Sequence, residues 1–562
     1  MSRSLFRTKK IDTIVKDAAA NEAHGGGLKR VLSVRDLMFM GIAAVVGAGI
    51  FSTIGKAAYN GGPGISTLFI ITAITCGFSA LCYAQFASRV PIAGSAYTYA
   101  YVSFGELVAW IIGWALILEY AIGNIVVAIS WSSYFNNLLQ GIGVNLPGWL
   151  VTDSSTGFEN FEKANVLLQS GKVLSAADID GAKASIEAWN TAPIIAGKHL
   201  FLNIPAFIIV ILITMLAYVG IKESKKMTNF MVILKVVVIL LVIGLGFFYV
   251  DTNNWTPFMP NGFGGVLAGV SAVFYAYIGF DAISTTAEEC KNPQRDLPRG
   301  MIYSLLICTV LYILIALVLT GMVSYMELNV DDPLAYVFKK LNLNWISYII
   351  SISAVVATTS VLLVFQLGQP RIWMSMSRDG LLPKRFSKVH KKYQTPSFAT
   401  IITGVLVSVP SLFIASGVVT DLTSIGTLFA FVLVCFGVLV LPKLPNVKGR
   451  FNLPYINGKI IIPLLVAGFI YLTRERLQDA FKNISGEGYQ EILFIVFILI
   501  ASIVAVMTFV KNYSLIPIVG ALCCLYLMIE IPAVSWLWFF VWMGLGLIIY
   551  AIYGYRKSKL AS

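Results

Sequence analysis

Two glycines stand close together in the middle of the first long apolar segment of this 562-residue chain. Gly47 and Gly49 flank Ala48 in the stretch GIAAVVGAGIF, residues 41–51. Because a glycine costs about 1 kcal/mol in a helix interior, this pair favours an unwound joint. The backbone N–H groups that begin the next half-helix would then suit a carboxylate. The same residues would equally allow close helix packing, so both interpretations stay open.

A second motif, YAYIG at residues 275–279, lies in the middle of a later apolar segment. A break there would expose carbonyl groups at the end of a half-helix, and carbonyl oxygens suit an ammonium group. Since an α-amino acid carries both charges on one carbon, two facing breaks could hold its head group with backbone atoms alone. Taken by itself, the motif favours simple aromatic packing. Asp281, two residues further on, is expected to cap the half-helix after the break.

Two ionisable residues, Lys235 and Glu119, lie deep inside apolar segments. Such residues are costly in lipid and usually face a cavity or a partner. A desolvated lysine can exchange its proton near neutral pH, or its fixed charge could stand where a sodium ion would bind. Lys235 lies only about 12 Å from the end of its segment, so snorkelling to the interface is the structural alternative. Glu119 could pair with Lys235, approach a cationic substrate, help to gate, or anchor helices.

Three consecutive hydroxyl residues, Thr358, Thr359 and Ser360, occupy the middle of another apolar segment. Hydroxyl groups in such positions commonly satisfy helix carbonyls, although they could also serve an ion or line a site. The chain has three histidines, and none lies in an apolar segment or has metal-ligand spacing. There is no nucleophile elbow and no phosphate-binding loop. The sequence therefore predicts no enzyme, no metal site and no cofactor.

The elements that must position these residues are membrane helices. The chain is 57% hydrophobic and 12% charged, whereas soluble domains carry about 25% charged residues. Its apolar runs are long enough to cross a ~30 Å hydrocarbon core, and they lack the alternation of strands. About fourteen transmembrane helices are expected, of which the short one at 459–473 could be re-entrant. They lie near 36–59, 63–88, 102–135, 200–221, 228–250, 264–287, 300–324, 344–375, 397–416, 420–442, 459–473, 488–510, 514–531 and 534–555.

The net charge of +13 is distributed as in a membrane protein rather than a nucleic-acid-binding protein. With a cytoplasmic N-terminus, about 30 of the 41 Lys and Arg residues lie on the cytoplasmic side, as the positive-inside rule requires. An even number of spans would place both termini there. We therefore expect a multi-pass protein of the plasma membrane, in contact with the lipid bilayer and with no nucleic acid.

The spans group as five, five and four, and five is an odd number, so the second half must be inverted relative to the first. Spans 1 and 6 then occupy corresponding positions, and paired interrupted helices in inverted halves point to a transporter's midplane site.

Residues 176–189 in the exterior loop could form an amphipathic helix. The expected units are a cytoplasmic tail (1–35), a first repeat (36–250, with an exterior loop at about 144–200), a second repeat (251–442) and additional C-terminal helices with a short tail (443–562).

Several motifs resemble those of the amino acid–polyamine–organocation superfamily, and specifically its cationic amino acid transporter branch. The resemblance covers about 32–441 and returns near 515–555. It implies the leucine-transporter-type fold, with spans 1–5 and 6–10 as inverted repeats and spans 1 and 6 broken. The motifs are SALCYA (79–84), SRVP (88–91), AGSAY (93–97), GW (113–114), LEY (118–120), EECKNPQRDLP (288–298) and RDGLLP (378–383).

The resemblance also implies site residues. Lys235 matches the lysine that replaces a sodium site in proton-coupled relatives, and Glu119 matches a glutamate associated with transport. From their mid-span position rather than from the resemblance, Thr358 and Thr359 complete the expected set of proton-coupling or ion-site residues. Substrate binding would involve Val45, Gly47, Ala48 and Gly49 for the carboxylate, and the backbone of Tyr275, Ala276 and Ile278 for the amino group. Ala48 and Gln85 depart from the pattern of some relatives, which carry Thr and an acidic residue there.

The expected function is secondary active transport of L-amino acids by alternating access, coupled to protons and with cationic substrates favoured. An exchanger or uniporter for neutral amino acids is the alternative, as is an amino-acid sensor that does not transport. Whether a small membrane partner or a second copy of the chain binds is left open by the sequence.

Overall fold

Helices dominate the structure, a computed structural model. It describes residues 5, 7–9, 30–47, 49–90, 95–169, 176–195, 197–330, 332–441, 451–482 and 489–560. Nine helices in this part of the chain are long and apolar enough to cross a membrane, and four shorter apolar helices accompany them. The protein is thus an all-α polytopic membrane protein, as expected.

Each of the expected spans has a helical counterpart. Span 11 has only 12 residues, about 18 Å of helix, which is shorter than the hydrocarbon core. Spans 1 and 6 each consist of several pieces. In the first half, span 1 comprises Val34–Val45, a π-helical turn Gly49–Thr53 and Ile54–Gly61. Spans 2 to 5 are Ile65–Arg89, Glu106–Gly141, Ile204–Val219 and Ile221–Phe247. In the second half, span 6 comprises Gly262–Leu267, Val270–Tyr275 and Phe280–Glu289; spans 7 to 10 are Pro293–Met322, Asn344–Arg378, Ser397–Ser411 and Ser416–Val440. Spans 11 to 14 are Ile461–Leu472, Tyr489–Lys511, Leu515–Ile529 and Ala533–Ile549.

The packing of the spans is reciprocal between the two halves. Among the unbroken spans 2–5 and 7–10, span 3 packs against spans 4, 8, 9 and 10, and span 8 packs against spans 9, 3, 4 and 5. Replacing each span by the one five places along the chain converts the first set into the second. This is the pattern that two related five-helix halves produce, and it surrounds spans 1 and 6 with a scaffold of long helices.

Close approach of spans 1 and 7 depends on two glycines. A Cβ on Gly41 would lie 2.4 Å from the Ser304 hydroxyl oxygen, and a Cβ on Gly300 would lie 2.8 Å from Leu37 Cβ. Because lipid supplies no hydrophobic force between helices, such small-residue contacts are a main source of packing energy in membranes. Span 7 therefore fixes the half-helix of span 1 that precedes its break.

The segment between spans 3 and 4 folds as a small helical unit on one face of the protein, here named the loop face (residues 142–203). A helix is present where one was expected at 176–189, as Ala176–Thr191, although Ala182 is the one buried residue among its described side chains. A second helix, Ser154–Gln169, and a two-stranded hairpin were not predicted. Trp189 stacks on His199, with ring centroids 4.1 Å apart, and so joins the helix to the hairpin.

Both described terminal segments lie on the opposite face, here named the tail face. Glu106, at the start of span 3, lies 3.7 Å from the Arg7 guanidinium. The same carboxylate accepts a hydrogen bond from the hydroxyl of Ser558. Residues near the two ends of the chain therefore meet at one side chain, as an even number of spans requires.

Candidate functional site

The break in span 1 lies at its glycine pair. The first half-helix ends at Val45, Val46 adopts an extended conformation, and the helical backbone resumes at Gly49. The Tyr312 hydroxyl of span 7 donates to the Val45 carbonyl at 2.7 Å, which satisfies one acceptor that the break exposes. Ala48 lies outside the described residues. The unwound joint that the sequence favoured is present.

The break in span 6 lies within the YAYIG motif. Helix Val270–Tyr275 ends there, and the next helical segment begins at Phe280. Gly279 has φ +117°, a left-handed conformation that glycine adopts without steric cost. Asp281 follows in the first turn and is buried close to the backbone of Gly279 and Ala282, but its Oδ2 atom has no hydrogen-bond partner among the described residues, so the expected cap is not confirmed.

Gly279→Ala should lower the stability of the purified protein by roughly 1–3 kcal/mol, because the left-handed backbone disfavours a Cβ. The added Cβ would also lie 2.7 Å from Ala44 Cβ in span 1. Thermal unfolding in detergent measures the loss. Gly244→Ala is the control, since its Cβ would meet nothing within 4 Å. Equal stability of both variants would contradict the structural role of Gly279.

The two breaks touch each other directly. A Cβ on Gly49 would lie 2.3 Å from Ala276 Cα, so only a glycine fits against this backbone. The Thr53 hydroxyl contacts the carbonyl oxygens of Gly49 at 2.9 Å and Ala272 at 3.1 Å and so bridges the two spans. Gly47 is also tightly packed, since its Cβ would lie 2.3 Å from a methyl carbon of Val361 in span 8, but this neighbour is a side chain rather than backbone.

Carbonyl groups remain available at the break of span 6. No donor among the described residues reaches the carbonyl oxygens of Ala276 and Ile278. Tyr275 turns its hydroxyl towards the Gly123 carbonyl of span 3, at 3.3 Å, and its own carbonyl accepts from the Ile278 N–H at 3.3 Å. These groups are buried, and free carbonyls in a dry interior attract a hydrogen-bond donor or a cation.

Lys235 is fully buried and reaches the break of span 1. Its ammonium donates to the carbonyls of Ala43 at 3.0 Å and Val46 at 2.6 Å, and to the Ser360 hydroxyl of span 8 at 3.0 Å. The lysine therefore does not snorkel. Its charged group takes the position that a cation would occupy among the carbonyls at the end of a half-helix.

Glu119 is not paired with Lys235. It is buried beside the Thr427 hydroxyl and close to Asp281, and its Oε2 atom has no hydrogen-bond partner in the described part of the chain. Of the three consecutive hydroxyl residues, only Ser360 contacts the lysine.

Thr358 donates to the Ala354 carbonyl at 2.7 Å, as hydroxyl groups in helices commonly do. Thr359 donates to the Val355 carbonyl at 2.7 Å and accepts from the Trp131 indole N–H at 2.9 Å. The structure thus brings Val45, Gly47, Gly49, Tyr275, Ala276, Ile278 and Lys235 around two joined breaks, and it places Thr358 and Thr359 among other contacts.

Two tyrosines that support the first break were missed from the sequence. Tyr312 binds the Val45 carbonyl, and Tyr134 of span 3 donates to the Phe51 carbonyl. Both lie in apolar runs without a distinctive motif, so only a hydroxyl group at mid-span marked them. They show that scaffold side chains hold the unwound backbone.

The tail face is closed beneath the site by ion pairs between spans 6 and 8. Arg371 donates to Glu289 at 2.6 Å, and Arg378 donates to Glu288 at 3.0 Å. Arg371 and Glu289 are nearly fully buried, with exposed side-chain fractions of 4% and 1%. Two motifs that the sequence singled out, EECKNPQRDLP and RDGLLP, thus meet across this closure.

The loop face is open by contrast. A cavity of about 880 Å³ is lined by residues of spans 1, 3, 6 and 10, of the 142–203 segment and of the turn before span 14. Thr53 and Ala272 line it, and they lie one helical turn from Gly49 and Ala276. The cavity on the loop face therefore reaches to within one helical turn of the two breaks, whereas ion pairs close the tail face.

Comparisons with known proteins agree with this architecture. The family model for amino acid permeases matches residues 32–481, and a model for the C-terminus of these permeases matches residues 513–558. A branched-chain amino acid permease of Bacillus subtilis is 38% identical over 562 residues, the full length of both chains. A methylthioribose transporter of the same organism is 35% identical over 99% of each chain.

A vacuolar cationic amino acid transporter of Arabidopsis thaliana is 37% identical over 79% of this chain and 64% of its own length. The family and these relatives are permeases and transporters rather than enzymes. The resemblance seen in the sequence motifs is thereby confirmed.

Proposed function

Since the chain belongs to the amino acid permease family, we propose that it is a secondary active transporter that moves L-amino acids across the membrane by alternating access. The observation that carries the proposal is the direct contact of two broken helices, one ending in unpaired carbonyls and the other beginning a half-helix. One bundle would rock against the scaffold of long helices and expose this site to each side in turn.

The substrate's head group would lie between the two breaks. Its carboxylate would meet the backbone around the break of span 1, where the N-terminus of a half-helix favours an anion. Its ammonium group would meet the carbonyls of span 6. The groups assigned to the carboxylate are Val45, Gly47, Ala48 and Gly49, and those assigned to the ammonium are Tyr275, Ala276 and Ile278.

Lys235 would couple transport to protons. The three oxygens around its ammonium group suit either a protonated lysine or another cation, and loss of the proton would leave the carbonyls of Ala43 and Val46 without a charged partner. The balance between these states could then set the conformation of the break. Glu119, with its unpartnered oxygen, would take part in the same proton movement.

Cationic amino acids are the substrates that we favour, and buried Glu119 is the group that would attract their charged side chains. Neutral amino acids, taken up or exchanged, are the second candidate, supported by the full-length similarity to a branched-chain amino acid permease. In either case the head group would be held in the same way, because that part of the site is built from backbone atoms.

We place the protein in the plasma membrane with the tail face, and so both termini, in the cytoplasm. The support is the excess of Lys and Arg expected on that side. The loop face would then be exterior, and substrate would enter through its cavity.

A thermal-shift screen of all twenty L-amino acids on the purified protein tests the proposal. A substrate at 100 times its dissociation constant should stabilise the protein by about 2.7 kcal/mol. The amino acids that raise the unfolding temperature are then measured for uptake into proteoliposomes. A shift without uptake would indicate a sensor, and the absence of any shift or uptake would contradict the proposal.

A further inference from the structure

The cavity on the loop face is separated from the two breaks by a thin floor. Thr53 and Ala272 form this floor, and the Thr53 hydroxyl binds the carbonyls of both Gly49 and Ala272. A molecule resting in the cavity would therefore lie about one helical turn, ~5.4 Å, from the proposed head-group site. The cavity, at about 880 Å³, is large enough for an amino acid.

Regions outside the ten-span core form part of the cavity wall. The 142–203 segment contributes Asp153, Glu159 and Lys163, and the turn before span 14 contributes Glu530. Arg476, which follows span 11, donates to Glu530 at 2.6 Å. The additional C-terminal helices and the helical unit on the loop face thus complete the mouth of this cavity.

Most charged groups of the lining are already neutralised. Lys163 and Glu159 form an ion pair at 2.6 Å, and Glu530 is paired with Arg476. Asp153 accepts hydrogen bonds from the backbone N–H groups of Ser155 and Thr156, each at 3.0 Å, at the start of a helix. Apart from Asp153, whose charge is held by these helix N–H groups, two opposite charges in the lining, Lys56 and Asp421, have no ion-pair partner among the described residues.

Lys56 and Asp421 face the same cavity without forming an ion pair. Lys56 is exposed and has no hydrogen bond or ion pair with any described residue. Asp421 accepts a hydrogen bond from the Ser271 hydroxyl at 2.6 Å and lies within electrostatic range of Lys56. The lining also includes Ser130, which is 8% exposed and whose hydroxyl has no partner in the described part of the chain.

We propose that this cavity is a second, outer binding site for a zwitterionic amino acid, with the carboxylate at Lys56 and the ammonium group at Asp421. One positive and one negative group on the same cavity complement a molecule that carries both charges. A dicarboxylate would be repelled by Asp421, and a diamine by Lys56. The inference rests on the proposed function, because the outer site would hold a substrate before it passes the floor to the breaks.

Binding stoichiometry and uptake kinetics test the outer site on the full-length protein. Equilibrium dialysis with radiolabelled L-leucine and with L-arginine should give two molecules per chain for the amino acid transported, one of them bound more weakly. Lys56→Gln and Asp421→Asn should each reduce this to one. The same variants should raise the KM for uptake on the order of fivefold while the maximal rate stays within twofold.

Two further variants serve as controls. Lys339→Gln removes another exposed lysine from the loop face, outside the cavity, so KM should not change. Lys56→Arg keeps the charge and should keep both the stoichiometry and KM, which excludes a general effect of substitution on folding.

Gly49→Val, which closes the inner site, should retain one weak site that Lys56→Gln removes. A single site in the unmodified protein, or an unchanged KM in the Lys56→Gln and Asp421→Asn variants, would overturn the outer site while leaving the proposed function intact. A protein that neither binds nor transports any amino acid would overturn the proposed function itself.

Discussion

Gly49→Val is expected to abolish amino-acid uptake and tight binding. The added Cβ would lie 2.3 Å from Ala276 Cα and 3.0 Å from Ala276 N. These are backbone atoms, which cannot rotate away as the end of a flexible side chain can. The variant must therefore push the two breaks apart, and a head group held by backbone atoms from both sides would lose at least one set of its contacts. Because charge-assisted hydrogen bonds contribute about 1.5–3 kcal/mol each, losing two would weaken binding on the order of a hundredfold or more.

The effect on the site must be separated from an effect on folding. Gly77→Val is the matched control, because Gly77 lies in span 2 and a Cβ there would meet nothing within 4 Å. Both variants are reconstituted at equal protein density, and their unfolding temperatures are recorded alongside binding and uptake. We expect Gly77→Val to behave as the unmodified protein. Unchanged affinity in Gly49→Val would place the substrate elsewhere.

The features that could be predicted from the sequence are local ones. Apolar run length identifies a membrane helix because the bilayer thickness fixes the number of residues required. The breaks were visible because glycine weakens a helix wherever it lies, and both Gly47–Gly49 and Gly279 lie at the interruptions found in spans 1 and 6. That the two breaks would face each other followed from the inverted order of the halves.

The contacts of individual side chains could not be predicted in the same way. Thr358, Thr359 and Ser360 are adjacent in sequence, yet successive residues of a helix point about 100° apart, and only Ser360 faces Lys235. Which one does so depends on the rotation of span 8 against its neighbours. Glu119 was likewise open to several partners, and its position near Thr427 depends on how span 10 packs against span 3.

The helical unit on the loop face was only partly predicted for a different reason. Both helices bury little: Ser154–Gln169 buries Gly157 and Ala164, and Ala182 is the one buried residue among the described side chains of Ala176–Thr191. A helix with so small an apolar face has little periodic signal in its sequence. It is defined instead by packing against its partner helix.

Lys235→Met is expected to remove the pH dependence of uptake. The lysine ammonium donates hydrogen bonds to Ala43, Val46 and Ser360, and so it joins the end of the first half-helix to span 8. A change in its protonation would therefore alter the contact between a moving element and the scaffold. Methionine fills a similar volume but carries no proton, and the carbonyls would lose their charged partner at every pH. Coupling by this route would be absent.

Accumulation in proteoliposomes measures this coupling. One pH unit corresponds to about 1.36 kcal/mol, so tight one-to-one coupling would sustain about tenfold accumulation from an outside one unit more acidic. The Lys235→Met variant should equilibrate substrate without accumulating it, while exchange of labelled for unlabelled substrate continues, since the head-group site is intact. Lys511→Met, at the exposed end of span 12, makes the same substitution away from the breaks and should accumulate normally. Normal pH-driven accumulation by Lys235→Met would refute the coupling role, and loss of exchange as well would assign the lysine to holding the break together.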